Sequence, residues 1–291
     1  MELPLVVGVD GSESSLLAVD WAVDEAARHG LRLRLVHGSR WERYERALPP
    51  FTTGRPAGEV MGRNILAACA ERARLRDPAV KVSEEMRSDG AVSALLYAAP
   101  EAYAVVVGER GRGELSGLLL GSVSLAVAAR AVCPVVVVRG ARPDGRGPHG
   151  RVVVGVGHAA EQAGAVEFAA REAEARGWDL IAVRAWRRPA DDRGDGPGVR
   201  DEPSPARDAR ASLELGDALR ETVRNHPRLS VQRHIVEGPA HRVLLDAAAD
   251  AGLVVVGAAR RHGRFGLQLG RAAHVLLHHS ACPVAVVPQR V

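Results

Sequence analysis

Two tandem doubly wound α/β domains are what this sequence predicts, and three observations carry the expectation. The chain repeats itself once, short β-branched runs alternate with Ala/Leu-rich segments in each half, and several runs are apolar at every position. Gly108, Gly121, Cys133 and Pro134 recur 149 positions later as Gly257, Gly270, Cys282 and Pro283. Near the start of each half the offset is 147, with Gly8 matching Gly155 and Gly30 matching Gly177, so an intervening loop differs by two residues. Fully apolar runs such as Val135-Val136-Val137-Val138 suit a sheet covered on both faces. Strand–helix alternation gives parallel strands joined by right-handed crossovers.

In the first half the candidate strands are Leu5–Asp10, Leu31–His37, Val80–Arg87, Val105–Gly108 and Val135–Val138. After Asp10 a Ser-rich cap opens a segment with Leu16, Val19, Val23 and Ala27 at helical spacing. The second half follows with Val152–Gly157, Leu180–Ala185, Leu229–Val236, Leu253–Gly257 and Val284–Val287. The stretch from Arg187 to Arg210, crowded with Pro, Gly and Asp, is expected to be a long mobile loop. Between the halves RGARPDGRGPHG, Arg139 to Gly150, is rich in glycine and proline and has no apolar period. It sets domains at residues 1–140 and 151–291 with a linker at 141–150.

Composition excludes several classes. Of 291 residues 46% are hydrophobic, yet no run reaches 18 uninterrupted apolar residues, which argues against a membrane span. The start, MELPLVVGVDGS, lacks a basic region before a hydrophobic stretch and reads as the start of a domain, not a signal peptide. Three cysteines without a C-x-x-C pair build neither a disulfide framework nor a metal knuckle, so a reduced, cytoplasmic setting is expected. The net charge is +4, but Lys81 is the only lysine, charge alternates in sign along the chain, and aromatics are 3%. Neither a basic stripe nor a stacking platform is present, so nucleic acid is not an expected partner.

The chemistry concentrates in VVVGERGRGELSGLLLGSVSLAV, Val105 to Val127. Gly108 ends an apolar run, and Gly111 and Gly113 let the backbone turn tightly and approach a ligand. Gly121-Ser122 opens a helix, whose free N–H groups and dipole favour a phosphate. A P-loop is ruled out, because it needs Gly-Lys-Ser/Thr and the sole lysine follows a valine. Gly155, Gly157 and Ala160 match a G-x-G-x-x-A dinucleotide pattern, but no acidic residue ends the following strand, LIAVRAW.

The pattern G-x2-G-x9-G-[ST], present as Gly108, Gly111, Gly121 and Ser122, resembles the nucleotide loop of the universal stress protein family. VVGVDGSESS at the start, LRLVHG at the second strand and CPVVVV at the fifth extend the resemblance, and both halves carry it along nearly their whole length. The resemblance implies a tandem protein with a five-stranded parallel sheet in the order 3-2-1-4-5 in each half, and ATP or AMP as ligand, Mg2+ accompanying ATP. It implies that Asp10 contacts the adenosine side and that the backbone at His37 and Gly38 borders adenine. Gly108 and Gly111 would pack on ribose and phosphate, and Gly121, Ser122 and Val123 would hold phosphate oxygens. It also implies pairing of the halves as a pseudo-dimer through their C-terminal strands, and it leaves open further association into a homodimer. Glu109 stands where the family has a small residue, and its carboxylate disfavours phosphate unless it points outward or pairs with Arg110 or Arg112.

The second copy differs. Gly157 stands at the position of Asp10, Arg260 replaces the second loop glycine, and Arg271 replaces Ser122. One reading is a degenerate structural domain; the other is that Arg260, Arg261, Arg264 and Arg271 bind an anion in another geometry. The expectation is one nucleotide per chain, in the first half. His274, His278 and His279 read as complements to a helix C-terminus, not as metal ligands, since no third ligand is evident. Cys133 and Cys282 read as packing residues. Asp10 and His37 do not make an acid–base pair without a nucleophile or metal carboxylates, so catalysis is not expected, although the resemblance allows slow ATP hydrolysis. A nucleotide-binding regulator, a scaffold needing no nucleotide, and an adenine-nucleotide α/β enzyme are the three functions to separate.

Overall fold

The computed structural model describes residues 3–39, 57–111, 120–139, 150–157, 163–187, 204–258 and 269–289. In chain order the first half runs β1 (Leu5–Gly8), α1 (Glu13–His29), β2 (Leu33–Gly38), α2 (Ala57–Arg76), β3 (Val82–Arg87), α3 (Ala91–Ala98), β4 (Ala104–Gly108), α4 (Ser122–Arg130) and β5 (Val135–Val138). The second half runs β6 (Arg151–Gly155), α5 (Ala163–Arg176), β7 (Asp179–Trp186), α6 (Ser204–Asn225), β8 (Val231–Glu237), α7 (Ala240–Ala248), β9 (Leu253–Ala258), α8 (Arg271–His279) and β10 (Val284–Pro288). A single 3-10 turn, Ala99–Glu101, follows α3.

The strands form one ten-stranded sheet in the order β3-β2-β1-β4-β5-β10-β9-β6-β7-β8. Each half is parallel with the order 3-2-1-4-5, and the halves join where β5 and β10 pair antiparallel, Val136 opposite Ala285. Alternation along the strands builds one apolar core on each face, and both cores run through the two halves. Leu5, Val7, Leu33, Leu35 and Val106 pack with α1 and α2, and Val152, Val154 and Leu253 with α5 and α6. Val6, Val36, Val105 and Val107 face α3 and α4, while Val153, Val183 and Val256 face α7 and α8.

Helix ends follow the sequence signals. Ser12 caps α1 by accepting from Ser15 N, and Gly30 ends it at φ 66°. Gly177 repeats that left-handed turn at φ 64°. One expectation fails: α6 begins at Ser204, inside the stretch read as loop, while residues 188–203 lie outside the described ones. Proline is tolerated in a first helical turn, and Ala211, Leu215 and Leu219 give a buried stripe at helical spacing that outweighs the polar composition.

The halves also meet through α1 and α5. Glu25 and Glu172, positions 147 apart in the duplication, are both fully buried there. Arg176 bridges them, pairing with Glu25 and lying 2.5 Å from Glu172. His29 stands 3.0 Å from Glu25 and 3.3 Å from Glu172, and Tyr103 donates to Glu172 at 3.1 Å. Burial works to raise Glu25, but the Arg176 charge and hydrogen bonds from its neighbours hold it well below the usual carboxylate range. Glu172 is raised instead, by burial and then by the charge of Glu25. Desolvation opposes the charge on His29, but hydrogen bonds to Glu172 and Glu25 outweigh it and lift the imidazole to about 9. Glu25, His29 and Glu172 are also the one group of three potential metal donors within 4.8 Å among the described residues, but Arg176 already engages both carboxylates.

Candidate functional site

The strand order reverses between β1 and β4, and ligands of doubly wound sheets sit beyond the carboxyl ends at such a point. A cavity of about 340 Å³ opens there, within the range of small-ligand sites. Asp10, Gly38, Gly108, Gly111, Gly121, Ser122 and Val123 all line it, so the fold gathers seven of the eight expected residues. Val36, Leu95 and Val107 add an apolar wall, and Ser15, Ser124 and Arg110 add polar groups.

His37 is the eighth, and its side chain lies on the other face of the sheet. Alternation along β2 turns Val36 and Gly38 towards the cavity and His37 away from it. There the buried imidazole donates from Nδ1 to Val9 O at 2.7 Å and packs on Gly62 of α2, where a Cβ would stand 2.9 Å from His37 Cδ2. The second half repeats the bond with another side chain: Arg184, at the same position of β7, donates to Val156 O at 3.3 Å. The role at this position is to satisfy a strand-end carbonyl.

Asp10 is held by its own turn. Gly11 adopts φ 79°, which returns the chain so that Asp10 Oδ1 accepts from Ser12 N at 2.9 Å and Ser12 Oγ at 2.6 Å. Gly111 then closes over it, and a Cβ at Gly111 would lie 2.6 Å from Asp10 Oδ2. Gly108 is required for a different reason than ligand contact. Its Cβ would fall 2.5 Å from the backbone oxygen of Ser14 in α1, so glycine lets the helix seat on β4.

The N-terminus of α4 completes the polar end. Gly121 caps it without a side-chain bond, and Gly121 N donates to Glu109 O at 2.7 Å, tying the two ends of the glycine loop. Ser124 Oγ donates to Gly108 O at 2.7 Å, holding the first turn against the end of β4. The early N–H groups of α4 carry the positive end of the helix dipole, which suits an anion. Residues 112–119, with Gly113 and Arg112, lie outside the described ones. Glu109 does not line the cavity; its carboxylate pairs with Arg110 at 3.6 Å and with Arg139 at 3.4 Å. Arg139, the first residue of the Gly/Pro-rich stretch, is buried, and the sequence carried no signal for it because its partners are distant along the chain.

In the second half the framework glycines persist and the polar groups do not. Gly155 packs against Leu244 as Gly8 packs against Leu95, a Cβ there meeting the leucine at 2.7 and 2.9 Å respectively. Gly270 caps α8 as Gly121 caps α4. Ser12, Ser15, Gly38 and Ser124, however, correspond to Ala159, Gln162, Ala185 and Ala273. Arg260, Arg261 and Arg264 lie outside the described residues; Arg271 is the exposed first residue of α8. It stands near His241, whose imidazole is held below its ordinary value by desolvation and by the charges of Arg271, Arg187 and Arg242. Cys133 and Cys282 are buried, which pushes their thiols up to about 12 and about 11, away from the reactive range. His278 and His279 occupy the last turn of α8, and the His274 and His278 ring centroids lie 4.5 Å apart with the planes tilted by 46°.

Sequence comparison matches residues 3–139 and 149–288 separately to the model of the Universal stress protein family. A universal stress protein of Mycobacterium tuberculosis is 34% identical over 295 residues, covering 98% of this chain and 97% of its own. One of Mycolicibacterium smegmatis is 31% identical over 306 residues, covering 99% and 98%. Among solved structures, a universal stress protein from Archaeoglobus fulgidus superposes with a TM-score of 0.68 at 18% identity, covering 99% of both chains. A universal stress protein solved in complex with cAMP matches 48% of the chain at 30% identity, with a TM-score of 0.36. Among the described residues no helix is long and apolar enough to cross a membrane.

Proposed function

The chain belongs to the universal stress protein family, and from that premise we propose that its first half binds an adenine nucleotide, ATP or AMP, as a cytoplasmic regulator whose task is not catalysis. One observation carries this reading: a single cavity joins an apolar wall of Val36, Leu95 and Val107 to a glycine loop and the free N-terminus of α4. A flat base suits the wall, and phosphate oxygens suit the N–H groups at Ser122 and Val123, while the Gly121 N–H, expected to join them, is taken by Glu109 O. Asp10, fixed by Ser12, would accept from the sugar. Mg2+ would travel with ATP, and slow hydrolysis is compatible with the site.

Calorimetric titration with ATP and AMP tests the reading. Asp10→Ala removes a charged acceptor and Gly111→Val fills the space over it, so each should weaken binding by roughly 10- to 100-fold or more. Thermal unfolding should stay near that of the parent chain. Retained affinity in both variants would remove the assigned site. A second reading, a scaffold that needs no nucleotide, rests on the second half, which keeps the sheet and the β5–β10 pairing with its polar site residues replaced. In that case the parent chain binds neither nucleotide.

A further inference from the structure

Arg139 leaves β5 with its side chain only 8% exposed. Its guanidinium donates to three backbone carbonyls of the second half: Leu277 O, His278 O at 2.9 Å and Ser280 O at 3.3 Å. These sit at the end of α8, where carbonyls lack intrahelical partners and the dipole is negative, so a buried cation is well placed. The same guanidinium reaches back to the first half, 3.4 Å from Glu109 Oε2.

Glu109 is the residue whose backbone oxygen accepts from Gly121 N and thereby ties the glycine loop to the start of α4. Its other ion pair, to Arg110, is at 3.6 Å with the arginine 52% exposed, a geometry worth little. Arg139 is the buried partner, and removing it leaves a carboxylate beside the loop without its fixed countercharge. The duplication contains no return link, because Pro288 and Ala258 occupy the positions of Arg139 and Glu109.

We propose that Arg139 is a positioning residue for the nucleotide site: anchored on the end of α8 in the second half, it holds Glu109 and so keeps the end of β4 and the N-terminus of α4 in register for a phosphate. The degenerate half thereby completes the site of the intact one. For the phosphate part this rests on the function proposed above; for the strand and helix ends it stands on the contacts alone.

The experiment uses the full chain and reads two quantities, the hydrogen-exchange rate of the Gly121 amide without nucleotide and the dissociation constant for ATP. Arg139→Gln should speed Gly121 exchange and weaken ATP binding, each by roughly tenfold, with exchange at the β1 amides unchanged as a marker of the fold. Arg139→Lys should recover part of both. Arg139→Gln combined with Glu109→Gln should be no worse than Arg139→Gln alone, because the two act in one chain of contacts. Unchanged Gly121 exchange in a folded Arg139→Gln protein, or losses that multiply in the double variant, would overturn the proposal. A parent chain that takes no ATP while Gly121 exchange still responds to Arg139 would fail the nucleotide reading and uphold the positioning.

Discussion

The two halves of this chain are one architecture with two fates, and comparing them separates what the fold needs from what a ligand needs. Both halves keep a glycine under a leucine at the end of the first strand, Gly8 beneath Leu95 and Gly155 beneath Leu244, because a Cβ there would collide. Both keep a left-handed glycine after the first helix, at φ 66° and 64°. Both satisfy the carbonyl after the first strand from the second, by His37 in one half and Arg184 in the other. By contrast Asp10, Gly38, Gly111, Ser122 and Ser124, all around the cavity, correspond to Gly157, Ala185, Arg260, Arg271 and Ala273. Gly8, Gly108 and Gly121 line the cavity and are nonetheless retained as Gly155, Gly257 and Gly270, so the divergence falls on Asp10, the serines, Gly38 and Gly111.

The largest effect is expected where the halves meet through α1 and α5. Arg176→Ala leaves Glu25 and Glu172 buried without their guanidinium, which should cost about 3–5 kcal/mol of stability in denaturant titration. Arg76→Ala, which removes a partly exposed ion pair to Asp24, should cost under about 1 kcal/mol. Equal losses would show that the two helices meet without the buried network.

A smaller effect follows from pH at the same contact. His29 is raised from 6.5 to about 9 in the folded chain, so its contribution is full below about pH 6.5 and is lost as pH rises through 9. Glu172 moves in the same sense, since a carboxyl raised on folding favours the fold less once it ionises. Glu25, lowered on folding, contributes above the usual carboxylate range and loses that as pH falls below it. The shift alone is worth about 3 kcal/mol, and solvent screening of the partly exposed imidazole reduces it. Stability should therefore decline by about 2 kcal/mol between pH 6.5 and 9.5, and His29→Gln should flatten that limb. An unchanged slope in His29→Gln would place the titration elsewhere.

The smallest effect tests the site directly. Ser124→Ala copies the residue that the second half carries as Ala273, and it removes one hydrogen bond to Gly108 O. The loss should be about 1 kcal/mol by thermal unfolding, a cost the second half already tolerates. A loss above about 3 kcal/mol would mean that the serine holds the sheet as well as the loop.

Most of this architecture was legible in the sequence, because continuous β-branched apolar runs and a duplicated glycine pattern are local or regular signals. All ten strands were readable to within two residues at each end; β1 and β6 stop two residues before the expected ends, the last bond to the neighbouring strand being made by Val9 N and Val156 N. The α6 start was hidden, since Ser204 and Pro205 look like loop until the leucine stripe beyond them finds a sheet to cover. Residues of the cavity were legible where glycine or an acid marks them, and His37 illustrates the limit. The resemblance set the backbone at His37 and Gly38 beside the base, whereas the ring, which strand alternation turns to the opposite face, bonds Val9 O, a contact with no mark in the sequence. Arg139 and the Glu25–Glu172 pair were not legible at all, because each gains its meaning from a partner more than 130 residues away.

The measurement that bears most directly on the comparison is the number of nucleotides each chain holds. Denaturing release from freshly purified protein, with chromatographic identification and a saturating titration, gives it. Close to one adenine nucleotide per chain is expected, lost in Asp10→Ala. Two per chain would show that Arg271 and its neighbours still bind, and none at millimolar ATP would contradict a working site in the first half.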